Sequence, residues 1–182
     1  MAFAVELYFD PDAQARVHDL YTSLASRGIT SYLLDIGTTP HLSLAVFDDL
    51  EPEHLNGELR AFAASHAPLW ISLETVGSFP SSDGVIYIAP SPSDTLFQLH
   101  ADFHSRLDAV GITCSPLYRP DAWIPHCTVA QRVAAERISA VTDLVRTSAA
   151  FGPAQVQRVA LVAVPPVRSI YRHQLGSGRD AV

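Results

Sequence analysis

The chain has 182 residues and a net charge of −7, with 48% hydrophobic and 17% charged residues. This length suits one ordinary domain, residues 1–182, and the composition is that of a globular protein without a run long enough to span a bilayer. Tight binding of long nucleic acid depends on a basic surface, so the acidic charge argues against an extended nucleic-acid interface and leaves a small anionic ligand as the compatible partner. The first residues lack the basic and apolar stretches of a secretory signal, so we expect a cytoplasmic protein.

Alternating hydrophobic residues, bounded by Gly, Pro and Asp, predict two successions of strands and helices. In the first half we expect strands at 3–9, 31–36, 41–47, 69–76 and 85–89, and helices at 11–27 and 51–65. In the second half we expect helices at 93–110 and 134–148, and strands at 124–131, 154–164 and 168–175. A loop rich in proline connects the first of these helices to the strand that follows it.

A six-residue pattern occurs twice in the chain. The sequence PHLSLA at residues 40–45 returns 85 residues later as PHCTVA. Each copy places a histidine two residues before a hydroxyl, as His41 before Ser43 and His126 before Thr128. Because side chains alternate between the two faces of a strand, we expect each histidine and its hydroxyl on one face and the apolar neighbours on the other.

The repeat extends beyond these motifs. The sequence GIT at residues 28–30 precedes the first histidine as GIT at residues 111–113 precedes the second, and Ile-Tyr pairs follow at 86–87 and 170–171. A period near 85 with two copies does not fit a solenoid. We therefore expect an α+β fold of two similar lobes, each carrying one motif and related by a pseudo-twofold axis that brings the two histidines together across a cleft.

Two facing histidines suit proton transfer near neutral pH. With an unperturbed pKa of about 6.5, one imidazole can accept a proton from an attacking hydroxyl while the other protonates a departing oxygen. The hydroxyls of Ser43 and Thr128 could donate to the oxygens of a phosphate as they accumulate charge. Ala45 and Ala130 are expected on the same face, where their small side chains leave room for a ligand.

The motifs His41-Leu42-Ser43-Leu44 and His126-Cys127-Thr128-Val129 resemble the paired His-x-Ser/Thr motifs of the 2H phosphoesterase superfamily. This superfamily includes bacterial 2′,5′ RNA ligase-like proteins and 2′,3′-cyclic nucleotide phosphodiesterases. The resemblance implies a bilobal fold with two antiparallel sheets around a central cleft and helices outside. It also implies phosphodiester chemistry by the two histidines, without metal or other cofactor, with the hydroxyls on the phosphate.

One position departs from the ligase-like members of this superfamily. Several of them carry an arginine five residues after the second histidine, whereas this chain has Gln131 there and an arginine only at Arg132. A displacement of one residue along a strand turns a side chain to the other face. Arg132 therefore remains a possible substrate contact without an assigned role, and the RNA-ligase label is weakened more than the phosphoesterase chemistry.

Three aromatic residues are further candidates for substrate binding. Tyr87 and Tyr171 occupy matched positions of the repeat and could stack on a base or bond a phosphate, although strands also favour tyrosine in their cores. Trp123, three residues before His126, could form a cleft wall for a nucleobase or pack beneath the loop that carries it.

His100 and His104 are spaced i and i+4 on a predicted helix, as in some metal sites. The segment lacks the glutamate of a zincin helix, and Phe103 and Leu107 indicate that this side of the helix is buried. We therefore predict no metal site.

The sequence thus predicts a metal-independent phosphodiesterase that hydrolyses 2′,3′-cyclic phosphates of nucleotides or RNA ends. Two alternatives stay open, namely 2′,5′ ligation or cleavage of RNA ends, and a nucleotide- or RNA-binding module without turnover. The symmetric motifs do not indicate which histidine is the base.

Overall fold

The computed structural model describes residues 2–80 and 83–177. Within these residues the structure has seven strands and five α-helices, whereas the sequence predicted eight strands and four helices. The predicted α+β class is confirmed. The strands are β1 (Ala2–Phe9), β2 (His41–Phe47), β3 (Leu69–Ser78), β4 (Ile86–Pro90), β5 (Cys127–Ala130), β6 (Gly152–Val164) and β7 (Arg168–Gln174). The helices are α1 (Pro11–Ser26), α2 (Tyr32–Asp35), α3 (Pro52–Ser65), α4 (Asp94–Ala109) and α5 (Ile138–Arg146). None of the helices in the described part of the chain has both the length and the apolar character needed to cross a membrane.

In the described part of the chain all strand pairs are antiparallel, and the strands form a single sheet with the order β2-β1-β6-β3-β4-β5, while β7 pairs with β6. We expected two separate sheets, and the long strand β6 explains the difference. Its residues 152–156 pair with β3, and its residues 158–163 pair with β7. Since β1 pairs with residues 156–164 on the other edge, β6 links the two halves of the sheet.

The helices cover one face of this sheet and leave the other open. Val5, Leu7 and Phe9 of β1 belong to a contiguous core with the apolar faces of the helices, and all three are fully buried. In β2 and β5 the predicted alternation holds across the motifs. Leu42, Leu44, Cys127 and Val129 are at most 1% exposed, whereas the histidines and hydroxyls between them are only half-buried.

Each motif strand contains a β-bulge immediately after its hydroxyl residue. In β2 the register shifts between Ser43, opposite Glu6, and Ala45, opposite Val5. A bulge inserts one extra residue and changes which face the following side chain occupies. Ala45 therefore lies on the core face and is fully buried, contrary to our expectation that it lines the histidine's face.

The second motif repeats this correction. Thr128 lies opposite Tyr87, whereas Ala130 lies opposite the fully buried Ile86 after a register shift. Ala130 is fully buried as well, so the small residue does not make room for a ligand on the open face.

Residues 31–36 were predicted as a strand but contain the one-turn helix α2. The segment lies between Gly28 and Gly37, which both have positive φ, and the amide of Asp35 donates to the carbonyl of Ser31. A short apolar run does not distinguish a strand from a buried helical turn, and here the local hydrogen bonds determine the result.

Two other elements are shorter than predicted. The strand β5 begins only at Cys127, because Pro125 has no N–H for a ladder hydrogen bond and the preceding residues form a loop. The helix expected over 134–148 consists of a 3₁₀ turn, Ala135–Arg137, followed by α5.

Candidate functional site

The two motif histidines have the same backbone environment. Nδ1 of His41 lies 2.7 Å from the carbonyl oxygen of Thr39, and Nδ1 of His126 lies 2.6 Å from that of Ile124. A carbonyl oxygen accepts hydrogen bonds only, so Nδ1 must carry the proton in both rings. In each neutral imidazole Nε2 is therefore the basic nitrogen, and it is directed away from the backbone.

The strands that carry the motifs are the two ends of the sheet path, yet they approach each other. Residues of β2 and β5 contact each other, and a charge on His41 is close enough to lower the pKa of His126. The outer edge of β5 accepts a hydrogen bond from the hydroxyl of Tyr21 in α1, 2.9 Å from the carbonyl oxygen of Thr128. The sheet thus curves so that both motifs contribute to one region of the surface.

Side chains from the second half of the chain bind backbone carbonyls at the edge of β2, as Tyr21 does at the edge of β5. The indole N–H of Trp123 donates to the carbonyl of Ser43 at 2.9 Å. His100 and His104, both 1% exposed, direct Nε2 to the carbonyl of Leu44 at 3.2 and 3.0 Å. These side chains replace the missing neighbouring strand and hold β2 against the second half of the molecule.

His41 has a carboxylate neighbour that the sequence did not reveal. Oε1 of Glu6 lies 3.4 Å from Nε2 of His41, and the other carboxylate oxygen accepts a hydrogen bond from the hydroxyl of Tyr8. Glu6 and Tyr8 are 3% and 4% exposed. Burial and the negative charge of Glu6 raise the pKa of Tyr8, so the phenol stays protonated and remains a donor.

His126 has aromatic neighbours instead. The ring of Phe79 meets His126 edge to face at a centroid distance of 4.8 Å, and Tyr87 lies 5.4 Å from it. Phe79 and Tyr87 are themselves in ring contact at 4.5 Å. Burial lowers the pKa of His126, the hydrogen bond to Ile124 opposes this shift, and the nearby charge of His41 lowers the pKa further.

The hydroxyls of Ser43 and Thr128 are available to a ligand. Ser43 pairs across the strands with Glu6, and Thr128 pairs with Tyr87, so both lie on the open face of the sheet. Within residues 2–80 and 83–177 neither hydroxyl makes a hydrogen bond to the protein. The site therefore presents two basic ring nitrogens and two free hydroxyls on one surface.

Of the other predicted contacts, the structure brings only Tyr87 to the histidines. Tyr171 lies opposite Leu161, a fully buried core residue, and so faces the helices. Arg132 adopts a positive φ of 60° and places its guanidinium 3.9 Å from the ring of Tyr32.

Trp123 occupies the packed position that we considered as its alternative. It is 7% exposed and stacks on His100 at a centroid distance of 3.8 Å. Because His100 and His104 both direct Nε2 to the carbonyl of Leu44, they bind the backbone of β2. No cluster of three or more potential ligands for a metal ion occurs in the described ranges.

Two features of β1 could have indicated Glu6 in advance. It is the single charged residue in a strand of otherwise apolar and aromatic residues, and its period places it on one face with Tyr8. Its position opposite Ser43 follows from the strand pairing.

A hollow of about 590 Å³ elsewhere on the surface, lined by residues 72–76 together with Arg146, Phe151 and Gly152, contains none of the site residues.

Comparison with known proteins identifies the family to which the chain is related. A sequence model of the 2′-5′ RNA ligase superfamily matches residues 37–164, which include both motifs. A protein of Bacillus pumilus named "Putative phosphoesterase" is 29% identical over 129 residues, covering 69% of this chain and 70% of its own.

Solved structures show the same fold. The protein TT0787 of Thermus thermophilus superposes with a TM-score of 0.64 at 18% identity, covering 97% of this chain and 98% of its own. Escherichia coli LigT, solved in complex with 3′-AMP, gives a TM-score of 0.60 at 16% identity, covering 95% and 97%. The chain belongs to the 2′-5′ RNA ligase superfamily, within the 2H phosphoesterases.

Proposed function

We propose that the protein is a metal-independent phosphodiesterase that hydrolyses the 2′,3′-cyclic phosphate of a nucleotide or an RNA end. The observation that carries this proposal is the matched geometry of His41 and His126, whose Nδ1 atoms both donate to backbone carbonyls. Each ring thereby presents Nε2 for proton transfer. Complexes of Escherichia coli LigT with 3′-AMP, ATP and NADP+ support a nucleotide as the ligand.

Hydrolysis needs one proton acceptor and one proton donor. Nε2 of one histidine takes a proton from water as the water oxygen bonds to phosphorus, and the bond from phosphorus to one ribose oxygen breaks. The other histidine gives its Nε2 proton to that ribose oxygen, and the product is a phosphate monoester. The hydroxyls of Ser43 and Thr128 donate to the nonbridging oxygens, where negative charge accumulates.

The surroundings of the two rings support one distribution of these roles. A lowered pKa keeps His126 neutral near pH 7, as a base must be. The carboxylate of Glu6, 3.4 Å from Nε2 of His41, stabilises the positive charge of a protonated ring. In this assignment His126 is the base and His41 is the acid.

The strand order supports the two-lobed organisation of residues 1–182. In the path β2-β1-β6-β3-β4-β5, the strands at equivalent distances from the two ends are β2 and β5, β1 and β4, and β6 and β3. The members of each pair begin about 85 residues apart in the chain, which is the period of the sequence repeat. Both motif strands also have a bulge at the same position. These correspondences favour a pseudo-twofold axis through the middle of the sheet. In this proposal Tyr87, whose ring lies beside His126, is a substrate contact.

A second candidate is the ligation of RNA ends through a 2′,5′ bond, or its reversal. The match to the 2′-5′ RNA ligase superfamily favours it. The position five residues after His126 is Gln131, and Arg132 stacks on Tyr32, so neither residue supplies the arginine that ligase-like members carry after the second histidine. We therefore rank ligation second, ahead of a binding module without turnover.

The three possibilities are separated by one incubation. The protein is mixed with 2′,3′-cyclic nucleotides, and in parallel with RNA halves that end in a cyclic phosphate and a 5′-hydroxyl, both in EDTA. We expect phosphate monoesters from the cyclic nucleotides. Joined RNA without monoester would favour the ligase, and binding without either product would reduce the protein to a binding module.

A further inference from the structure

Two arginines lie on the open face of the sheet beside His41. Tyr8 of β1 pairs with His41 on one side and with Arg158 of β6 on the other, so these three residues form a row across neighbouring strands. Strands lie about 4.8 Å apart, which places the Cα atom of Arg158 about 10 Å from that of His41. Arg172 of β7 lies in the adjacent row, opposite Ala160.

Both guanidinium groups gather near Tyr8. The small side chain of Ala160 lets Arg172 extend over the sheet, and its Cζ lies 5.9 Å from the centre of the Tyr8 ring. The Tyr8 ring lies 6.2 Å from the ring of His41. The charges of Arg158 and Arg172 both act on the phenol, where they oppose the increase in pKa that burial and Glu6 cause.

Neither arginine is neutralised by a carboxylate in the described ranges. Arg106, Arg119 and Arg146 each form a salt bridge with an aspartate. Among the residues that the structure describes, Arg158 and Arg172 have no such partner, and Nε of Arg158 is buried without a hydrogen bond.

The nearest acid is already engaged. Glu6 accepts from Tyr8 and faces His41, and it supplies one negative charge against two guanidinium groups. The chain as a whole is acidic, with a net charge of −7. The region beside the candidate phosphate site differs, because two arginines lie there without a carboxylate partner among the described residues. A buried guanidinium donor is costly to leave unsatisfied, and phosphate oxygens are acceptors of matching geometry.

We propose that Arg158 and Arg172 form a second anion subsite, which binds a phosphate one ribose away from the phosphate held by the histidines. The substrate class is then a cyclic phosphate that carries a further phosphate, as at the 5′ position of a nucleotide or in the last linkage of an RNA end. This inference rests on the proposed function for the position of the first phosphate. It adds to that function a preference for a substrate with a second phosphate, which the two histidine motifs alone do not recognise.

The test compares two substrates, a 2′,3′-cyclic nucleotide with a 5′-hydroxyl and the same nucleotide with a 5′-phosphate. Charge-assisted hydrogen bonds from arginine to phosphate are among the stronger ones in proteins, so we expect kcat/KM to favour the 5′-phosphate by about tenfold or more. Arg158→Gln and Arg172→Gln should each reduce this preference about tenfold. Neither substitution should change kcat/KM for the substrate with a 5′-hydroxyl. A dinucleotide ending in a cyclic phosphate distinguishes an internal linkage from a 5′-monophosphate.

Arg146→Gln is the matched control, because this arginine is exposed and paired with Asp143 on α5. The subsite is overturned if the wild-type protein has the same kcat/KM for the two substrates. It is also overturned if the substitutions at Arg158 and Arg172 reduce kcat/KM equally for both substrates.

A binding measurement separates this inference from the proposed function. Calorimetry compares adenosine 3′,5′-bisphosphate with 3′-AMP, and needs no turnover. If no cyclic phosphate is hydrolysed but Arg158→Gln and Arg172→Gln weaken only the bisphosphate, the subsite stands and the proposed hydrolysis fails. If the bisphosphate binds no better than 3′-AMP in wild type, the subsite is wrong whatever the turnover.

Discussion

The two motif histidines share a backbone environment but differ in the side chains around them. His41 faces the carboxylate of Glu6, and His126 lies against the rings of Phe79 and Tyr87. A symmetric motif has thus been placed in two unequal surroundings. This difference, a carboxylate beside one ring and two aromatic rings beside the other, is not visible in the motifs themselves.

The pH dependence of kcat/KM should reflect this inequality. Because the pKa of His126 is lowered, the base loses its proton at a lower pH than an ordinary histidine, and activity should fall only as the pH decreases through that lowered value. We expect the acidic limb to have its midpoint below about 6.5. An acidic midpoint above this value would contradict the assignment of His126 as the base.

Glu6→Gln should lower turnover through the loss of one charge beside His41. The amide keeps the size of the carboxylate but removes the negative charge 3.4 Å from Nε2 of His41. We expect kcat to fall about tenfold or more near pH 7, with the acidic limb unchanged. Glu6→Asp keeps the charge and should restore part of kcat, and full activity in Glu6→Gln would contradict a role for this carboxylate.

At the scale of elements, the period of a strand predicts the site until a bulge interrupts it. Alternation correctly placed Leu42 and Leu44 in the core and left Ser43 on the open face. It failed for Ala45, because the bulge adds a residue that neither composition nor hydrophobicity reveals. The same limit explains residues 31–36, where hydrogen bonds within one turn replaced the predicted strand pairing.

Two glycines allow a matched test of the β3–β4 contact. A Cβ atom on Gly77 would lie 2.6 Å from the ring of Tyr87, whereas one on Gly57 in α3 would meet nothing within 4 Å. Gly77→Ala should therefore lower the free energy of unfolding by about 1–3 kcal/mol and displace the ring beside His126. Gly57→Ala should raise it by about 0.5–1 kcal/mol, because alanine favours a helix interior.

Urea denaturation of both variants measures these changes, and turnover of a cyclic nucleotide measures the displacement. Equal stabilities for Gly77→Ala and wild type would show that Tyr87 is free to move.

At the scale of the whole molecule, the ends of the sheet are held by side chains from the opposite half of the chain. Trp123, His100 and His104 bind the edge of β2, and Tyr21 binds the edge of β5. These contacts position the two motifs relative to each other. Sequence patterns identified the motifs, but such long-range side-chain contacts have no local signal. The sequence therefore left open whether Trp123 packs or lines a cleft, and it did not predict that Glu6 lies beside His41.

The buried histidines make this junction sensitive to acid. Burial, together with the charge of His104, lowers the pKa of His100 to about 4, and burial also lowers that of His104. Below about pH 6.5 the unfolded chain binds protons at these histidines more readily than the folded chain does. The free energy of unfolding should therefore be highest above that pH and decrease towards about pH 4. For His100 the expected loss between pH 7 and pH 5 is about 2 kcal/mol.

His100→Gln, which keeps a donor for the carbonyl of Leu44, should weaken this pH dependence, as measured by urea denaturation at pH 7 and pH 5. His54→Gln, at an exposed position on α3, is the control and should leave it unchanged. The same loss of stability in His100→Gln as in wild type would mean that other groups cause it.

The most direct test of the central claim, that His126 acts as base and His41 as acid, varies the leaving group. A 2′,3′-cyclic nucleotide must have its departing ribose oxygen protonated, whereas a nitrophenyl phosphodiester of the same nucleotide releases a stable anion that needs no acid. In EDTA we expect His126→Ala to lose activity by about 10²–10⁴-fold on both substrates. His41→Ala should lose as much on the cyclic nucleotide but retain most activity on the nitrophenyl ester. Equal losses for both variants on both substrates, or full activity in either variant on the cyclic nucleotide, would contradict the account.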